Sequence, residues 1–495
     1  MNIAFVSSEA FPFAKVGGLG DITGALPKAL DKLGHKVKVF IPKYSLINFN
    51  NHKLEYVAEV GEMPIRVNGK SYVTRLFKSY LPGSFVDIYF VDCPHFFHRK
   101  DHTGNDVIYT NHQDEDERYV LFSKAVIEAI QRMKWLPDII NCNDWQTGLL
   151  PLLLRDNYSW DRFLDPVATA FSIHNIGYQG RFPKSLMLKA EIRAELFYPN
   201  SPIEIMGTVC FMKAGLMYSD VINTVSPTYA AEIMTSDYGE GLEGVLSYRV
   251  NDFYGILNGI DTEVWNPETD KMIPVNYNIN SLEGKYENKK HLLNSMNLPH
   301  YKNTPVIGMI SRMVGQKGFD IFAESVYDLM RLPVQWVILG SGEDRYENLF
   351  RSLQQMFPDR IATWFGKNEQ LAHLIEAGSD MFLMPSLYEP CGLNQMYSLI
   401  YGTVPIVRKT GGLADTVKDW DEYSYRGDFS GNGFSFYDYS AFALFKSVER
   451  AVNAFYNHDV WIQIVKNGMI SDFSWENSAQ TYLKMYESAI NKRRG

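Results

Sequence analysis

Short apolar runs of four to seven residues alternate with longer stretches of helical periodicity almost from end to end of this chain, and that alternation admits few folds. Parallel strands joined by crossover helices are buried on both faces, so they read as continuous apolar runs rather than as alternating ones. The first run, Ile3 to Val6, leads through the glycine-rich stretch Lys15 to Gly20 into a helical pattern with Ile22, Leu26, Leu30 and Leu33 on one face. Pro27 lacks an N–H and is expected to kink or split that helix. Further strands are expected at Val37 to Ile41, Val86 to Val91, Asp138 to Cys142, Val167 to Ile173, Val221 to Val225 and Phe253 to Leu257. Glu55 to Tyr80 alternates in the manner of a hairpin insertion. A second series comprises Val306 to Ile310, Gln335 to Leu339, Ile361 to Trp364, Met381 to Met384 and Val404 to Val407, with helical patterns such as Tyr346 to Met356 and Leu371 to Ala377 between them. Asn258 to Asp261 and the polar stretch Asn266 to Asn288 read as a hinge and connection. The expectation is an α/β chain of two doubly wound, Rossmann-like domains facing a deep cleft. Ligands of such sheets sit beyond the carboxyl ends of the strands.

Composition narrows the function classes. The chain has 495 residues, 46% of them hydrophobic, enough for roughly three units or two large ones. Its 48 basic against 57 acidic residues give 48 − 57 = −9, and no basic run of five residues occurs, so a nucleic-acid partner has no compositional support. No apolar run reaches the roughly 18 residues of a membrane helix, and Met1 to Ala14 lacks the basic start of a signal peptide. Cys93, Cys142, Cys210 and Cys391 are far apart, which disfavours a zinc site and suits a reducing compartment; a cytoplasmic location is expected.

Three strand-to-helix loops carry the chemistry. Lys15-Val16-Gly17-Gly18-Leu19-Gly20-Asp21 places glycines and a cation at a helix start, where backbone amides can receive a phosphate. It is neither a Walker loop nor the spaced glycine pattern of dinucleotide binders. Ser311 to Gly318 supplies Arg312 and Lys317, and Thr410-Gly411-Gly412-Leu413 adds a hydroxyl and further amides. Together they suggest a diphosphate held by Lys, Arg and backbone donors.

These motifs, with Asp144-Trp145-Gln146, His174-Asn175, Ser226 to Tyr229, Asn258 to Asp261, Glu389-Pro390-Cys391-Gly392-Leu393 and Thr410 to Val417, resemble those of bacterial glycogen synthases and plant starch synthases. The matches are collinear over nearly the whole chain. The resemblance implies the two-domain glycosyltransferase-B fold, a nucleotide-glucose donor, an α-1,4-glucan acceptor and retention of anomeric configuration. It implies an acceptor-binding catalytic domain, residues 1–257, joined by the C-terminal helix 476–495, and a nucleotide-sugar domain, residues 258–475. Lys15, Arg312 and Lys317 are expected on the donor diphosphate, Glu389 on the glucose hydroxyls and His174 near the anomeric carbon. Gly17, Gly18, Asn258, Cys391, Gly392, Leu393, Thr410, Gly411 and Gly412 complete the expected donor contacts. Asp144, Trp145 and Tyr178 are expected to bind acceptor, with Phe96 a further aromatic ring on a first-domain loop.

A metal-dependent transferase would need an acidic pair on the diphosphate. Asp114-Glu115-Asp116 reads instead as the charged first turn of a helix from Tyr119 to Met133, and Asp419-Trp420-Asp421 as a solvated loop, so no metal or cofactor is expected. Three positions depart from the family pattern: Lys367 stands where a tyrosine usually stacks on adenine, Leu387 where an arginine is usual, and Gln146 where a histidine is usual. ADP-glucose is the first choice of donor and UDP-glucose the alternative. Transferases acting on lipids or small molecules usually carry a second glutamate where this chain has Tyr397. A catalytically silent nucleotide-sugar or glucan binder is the remaining reading, disfavoured by the full set of charged residues.

Overall fold

The computed structural model describes residues 1–110 and 112–495, and the chain divides into two compact units. The first comprises Met1–Gly259 with Trp475–Gly495, and the second Ile260–Ser474.

In the first unit the strands are β1 (Asn2–Val6), β2 (Lys36–Pro42), β3 (Glu55–Tyr56), β4 (Met63–Val67), β5 (Lys70–Tyr80), β6 (Asp87–Asp92), β7 (Ile139–Asn143) and β8 (Ala168–Ile173). A small antiparallel sheet, β9 (Arg181–Phe182), β10 (Glu204–Ile205) and β11 (Thr208–Cys210), precedes β12 (Val221–Thr224) and β13 (Phe253–Gly255). The main sheet runs β13-β12-β8-β7-β1-β2-β6-β5-β3, parallel from β13 to β6. β4 and β5 form an antiparallel hairpin over the expected insertion, with β5 also pairing antiparallel to β6. Every residue of β7 and β8 is buried, as a strand covered on both faces requires.

The terminal helix, Trp475–Arg494, belongs to this unit and buries Ala479, Tyr482, Met485, Tyr486 and Ala489. Tyr486 donates to Asn141 Oδ1 at 3.1 Å and Asn223 to the Tyr482 hydroxyl at 3.3 Å, fixing the helix across β7 and β12. The helix Gly18–Lys32 runs unbroken through Pro27, contrary to the expected split. Proline in a helix interior costs about 3 kcal/mol, whereas each buried side chain such as Leu26 or Leu30 returns about 1.5–3 kcal/mol, so packing outweighs the lost bond.

The second unit carries β14 (Val306–Ile310), β15 (Gln335–Gly340), β16 (Ile361–Phe365), β17 (Met381–Met384), β18 (Val404–Arg408) and β19 (Phe434–Phe436), ordered β16-β15-β14-β17-β18-β19 and parallel throughout. Its larger core gathers Phe322, Trp336, Phe350, Ile406, Phe434 and Val448 between sheet and helices. Residues 266–288, read as part of the connection, belong to the second unit and pack within it. Trp265 lies flat between His373 and Tyr397, with ring centroids 3.8 and 3.9 Å away, and Asp270 accepts from His373 at 2.8 Å and from Tyr401 at 2.7 Å. Polar residues here satisfy buried partners within the unit rather than facing water.

Candidate active site

Both parallel sheets reverse their strand order at one place, and the chemistry-bearing loops leave the strands there. In the first unit the reversal falls between β1 and β7, in the second between β14 and β17. At such switch points adjacent loops diverge and leave a crevice beyond the carboxyl ends.

At the first switch point, Lys15, Gly17 and Gly18 are exposed in the loop after β1. A Cβ placed on Gly17 or Gly18 would meet nothing within 4 Å, so packing does not demand glycine at either position. Lys15 Nζ donates to Asp21 Oδ1 at 2.6 Å. The amides of Val16 and Gly17 are not free for an anion: both donate to Glu9 Oε2, at 2.7 and 3.1 Å. Glu9 Oε1 accepts from the Tyr109 hydroxyl at 2.6 Å, and only 4% of Glu9 is exposed. Glu9, which shapes the whole loop, is a residue that sequence reasoning missed. A lone glutamate in an apolar stretch carries no local signal of the fold-back that makes it an acceptor.

Across the switch point Asp144 follows β7 with φ +56°, an uncommon backbone for a non-glycine residue and a type of strain that clusters at functional sites. Its carboxylate turns inward to accept the His174 amide at 2.8 Å, so it fixes the loop after β8. Burial pushes this carboxyl up to about 7, against the His174 and Asn175 amides and with a further push from the Glu9 charge. His174 Nε2 donates to Asn143 Oδ1 at 2.9 Å, an orientation set by Asn143 Nδ2 donating to the Val6 carbonyl. Nδ1 is therefore the bare acceptor nitrogen; it is buried and has no partner among the described residues. Burial pushes the imidazole down to about 3, so it is neutral at physiological pH. Trp145 packs edge-on to Tyr119 at 5.0 Å and against Phe182 and Phe211, and with the exposed Tyr178 it lines an open cavity of about 460 Å³. Phe96 is fully buried against Tyr72 and His95 and lines no groove. Asn258 also lies in the first unit, only 3% exposed, its Oδ1 without a partner among the described residues.

In the second unit three loops are tied into one surface. Lys317 Nζ donates to Glu389 Oε2 at 2.6 Å, and Ser386 Oγ donates to the same oxygen at 3.0 Å. Leu387 N donates to the Gln316 carbonyl at 2.8 Å, and Arg408, from the end of β18, donates to the Leu387 carbonyl. Arg312 is exposed, and its guanidinium makes no ion pair or hydrogen bond among the described residues. Thr410 and Cys391 are buried beneath this surface. Gly412 N donates to the Glu389 and Pro390 carbonyls, each at 3.2 Å, so this amide is engaged rather than offered. Gly411, at φ +45°, lies so close that a Cβ would stand 1.9 Å from the Glu389 carbonyl oxygen, and one on Gly412 2.0 Å from that of Cys391. These two glycines are required by backbone packing, whatever ligand they also meet. Gly392 and Leu393 complete the turn into the helix Asn394–Ile400. Lys367 is exposed after Gly366, beyond β16.

The two acidic pairs have other work. Glu115 and Asp116 lie in the first turn of the helix Glu115–Arg132, where Asp116 pairs with Lys189 at 2.9 Å and Asp114 with Arg99 at 2.5 Å. The expected solvated loop at Asp419 is instead a buried cap: Asp419 is 2% exposed, accepts the amides of Asp421 and Glu422, and pairs with Arg450 at 3.1 Å. The packed helix Ala441–Phe455 carries Arg450 to it, which no local pattern signals. No cluster of three or more His, Cys, Asp or Glu suited to a metal occurs among the described residues, and no described helix is long and apolar enough to cross a membrane.

Residues 2–248 match the family model described as starch synthase catalytic domain, and residues 294–463 that of glycosyl transferases group 1. The chain is 44% identical to a glycogen synthase of Thermosipho africanus, covering 100% of both, and 43% identical to one of Thermotoga maritima, covering 99% of both. The catalytic domain of starch synthase IV from Arabidopsis thaliana, solved bound to ADP and acarbose, superposes with a TM-score of 0.89 at 34% identity over 99% of each chain.

Proposed function

Because the chain belongs to the starch and glycogen synthase family of glycosyltransferases, with its glycosyltransferase-B fold, we propose that it moves glucose from ADP-glucose to the non-reducing end of an α-1,4-glucan with retention of configuration. The observation that carries this reading is the Lys317–Glu389 pair at the switch point of the second unit, 2.6 Å apart and framed by Ser386 and the 411–412 turn. A cation and a sugar-binding carboxylate side by side suit the junction between a diphosphate and its glucose.

In this reading Arg312 and Lys317 hold the diphosphate, and Lys15 is assigned the same partner. Their charge gains value as the bond from the anomeric carbon to the phosphate oxygen breaks and the leaving group becomes more negative. Glu389 accepts hydrogen bonds from the glucose hydroxyls, with Cys391, Gly392, Leu393 and Thr410 shaping the pocket. The glucan 4-hydroxyl forms the new bond on the face the diphosphate leaves, and its proton passes to a diphosphate oxygen. No side chain attacks, so the two-carboxylate arrangement of retaining hydrolases is not needed. His174, held neutral by burial, donates through Nε2 to Asn143 and keeps Nδ1 as an acceptor, so it is assigned no acid role. The acceptor is assigned to the first unit, on Asp144, Trp145 and Tyr178.

UDP-glucose is the alternative donor, because Lys367 stands where adenine stacking is expected. Release of nucleoside diphosphate from ADP-glucose and from UDP-glucose, each with glycogen as acceptor, separates them. Faster turnover of ADP-glucose with an α-linked product supports the reading. Preference for UDP-glucose reassigns the base, and turnover of neither returns the chain to a binding role.

A further inference from the structure

The turn Gly315–Lys317 brings Lys317 to Glu389, and its own backbone is held from three sides. The Gly315 amide donates to Glu343 Oε1 at 3.3 Å, and Glu343 is itself paired with Arg345 at 2.8 Å. The Gln316 carbonyl accepts the Leu387 amide, from the loop that leads to Glu389, at 2.8 Å. On the third side stands Tyr439, half-buried, three residues beyond β19. Its hydroxyl proton is shared between Asp320 Oδ1, in the first turn of the helix Phe319–Leu329, and the Gly315 carbonyl at 3.3 Å. Burial and the Asp320 charge hold that phenol well above its ordinary pKa, so it remains a donor at any working pH. The ring of the same tyrosine serves the opposite loop. Arg408 lies over it, 5.4 Å from the centroid, and from there donates to the carbonyls of Leu387 and Tyr437, the latter at 3.2 Å.

One side chain therefore touches both halves of the site, its hydroxyl against the segment before Lys317 and its ring beneath the arginine that holds the segment before Glu389. A lysine on its flexible four-carbon stem does not fix where its ammonium lies, so the 2.6 Å pair depends on where the two backbones sit. We propose that Tyr439 is a positioning residue for transfer, which sets the spacing of the Lys317 turn and the Glu389 loop through Gly315 and Arg408. The proposal rests on the reading in which Lys317 meets the leaving diphosphate and Glu389 the glucose. Misplacing such groups by about 1 Å costs up to about 10²-fold in rate. Donor capture is not under the same control. The segment that carries Arg312 is tied elsewhere, Met313 N donating to the Ser341 carbonyl at 2.9 Å and Glu343 N to the Met313 carbonyl at 2.8 Å. Tyr439 is thus expected to act on kcat and to leave donor KM alone.

The test uses the full chain with ADP-glucose and glycogen. Y439F removes the hydroxyl and keeps the ring under Arg408, whereas Y439A removes both; Y439F decides if Y439A fails to fold. In Y439F kcat is expected to fall about tenfold, the scale of one lost hydrogen bond, and in Y439A about 10²-fold, with donor KM within twofold of wild type in each. The K317A background separates positioning from a general loss of structure. If the hydroxyl acts through Lys317, the double variant Y439F/K317A turns over within twofold of K317A. A tenfold loss in that background as well overturns the proposal. So does a kcat for Y439F within twofold of wild type, even where its melting temperature falls. If the wild-type chain turns over neither donor, the reading of the site fails, and amide hydrogen exchange of the ligand-free chain decides the clamp. Faster exchange over residues 315–318 in Y439F, and over 386–389 as well in Y439A, sustains it; unchanged exchange overturns it.

Discussion

Replacing Gly18 and Gly411 separately by alanine distinguishes a glycine kept for a ligand from one kept for packing. Gly411 sits at φ +45°, and an added Cβ falls 1.9 Å from the Glu389 carbonyl oxygen. The left-handed backbone costs about 1 kcal/mol for alanine, and the clash, against main chain rather than a flexible side chain, adds about 1–3 kcal/mol. For a unit of this size each kcal/mol moves the melting temperature by about 2–4 °C, so G411A is expected to lower the transition of the second unit by roughly 4–16 °C. It also displaces Glu389 and so depresses turnover. Gly18 opens the helix Gly18–Lys32 with nothing within 4 Å of where an added methyl would stand, and alanine there gains up to about 1 kcal/mol of helix propensity. G18A should therefore melt at or above the wild-type temperature while, on the proposed reading of this loop as a diphosphate contact, its KM for the nucleotide donor rises about tenfold. Scanning calorimetry and initial rates with donor varied at saturating glycogen read both quantities. An unchanged donor KM in G18A refutes the assignment of this loop to the diphosphate. An unchanged melting temperature in G411A refutes the requirement for glycine there on packing grounds.

Arg312, without a counter-charge among the described residues, is expected to act in capture, so R312A raises donor KM more than it lowers kcat. K317A is expected to lower kcat about 10²–10³-fold with glycogen affinity retained, because it removes charge at the leaving group; wild-type turnover in K317A removes Lys317 from the mechanism. Asp144 has its carboxyl raised by burial to about 7, against an ordinary value near 4, so the folded chain takes up a proton between those limits. The stability this supplies is present at low pH and lost as pH rises through 7, so D144N should gain on wild type in thermal shift between pH 4 and 7; a pH-independent difference contradicts the assignment. Transfer is expected to be insensitive to a metal chelator, checked by diphosphate release, and abolition by chelator would require a metal the lysines and arginine were expected to replace.

The strands were legible because burial on both faces writes itself as an uninterrupted apolar run, and β14 and β17 fall on the residues the sequence suggests. The switch-point loops were legible for a related reason, since glycines and cations between a strand and a helix break the local hydrophobic pattern. What stayed hidden depends on chain reversal. Glu9 is defined by amides seven and eight residues away that fold back onto it, and Asp419 by Arg450 arriving on a later helix. Glycines at 17–18 and 411–412 look alike in sequence, yet open space surrounds the first pair and main chain crowds the second. Trp265 lies in a polar stretch, and its stacking on His373 and Tyr397 exists only after the second sheet has formed.

The two lysines assigned to the donor already have carboxylate partners. Lys15 rests on Asp21 with 41% and 30% of their side chains exposed, a pair worth at most about 1 kcal/mol and readily surrendered to a diphosphate. Lys317 and Glu389 are more enclosed, at 19% and 8%, so parting them costs more, and on the proposed reading Ser386 would still satisfy the carboxylate once the ammonium turned to phosphate. Glu389 is thus the counter-ion of Lys317, and on the proposed reading also an acceptor for the glucose hydroxyls. Lys317 and Ser386 both donate to Oε2 of Glu389, which fixes the orientation of that carboxylate. On the proposed reading, with His174 held neutral by burial, the negative charge that develops on the leaving group is countered by Arg312 and the two lysines.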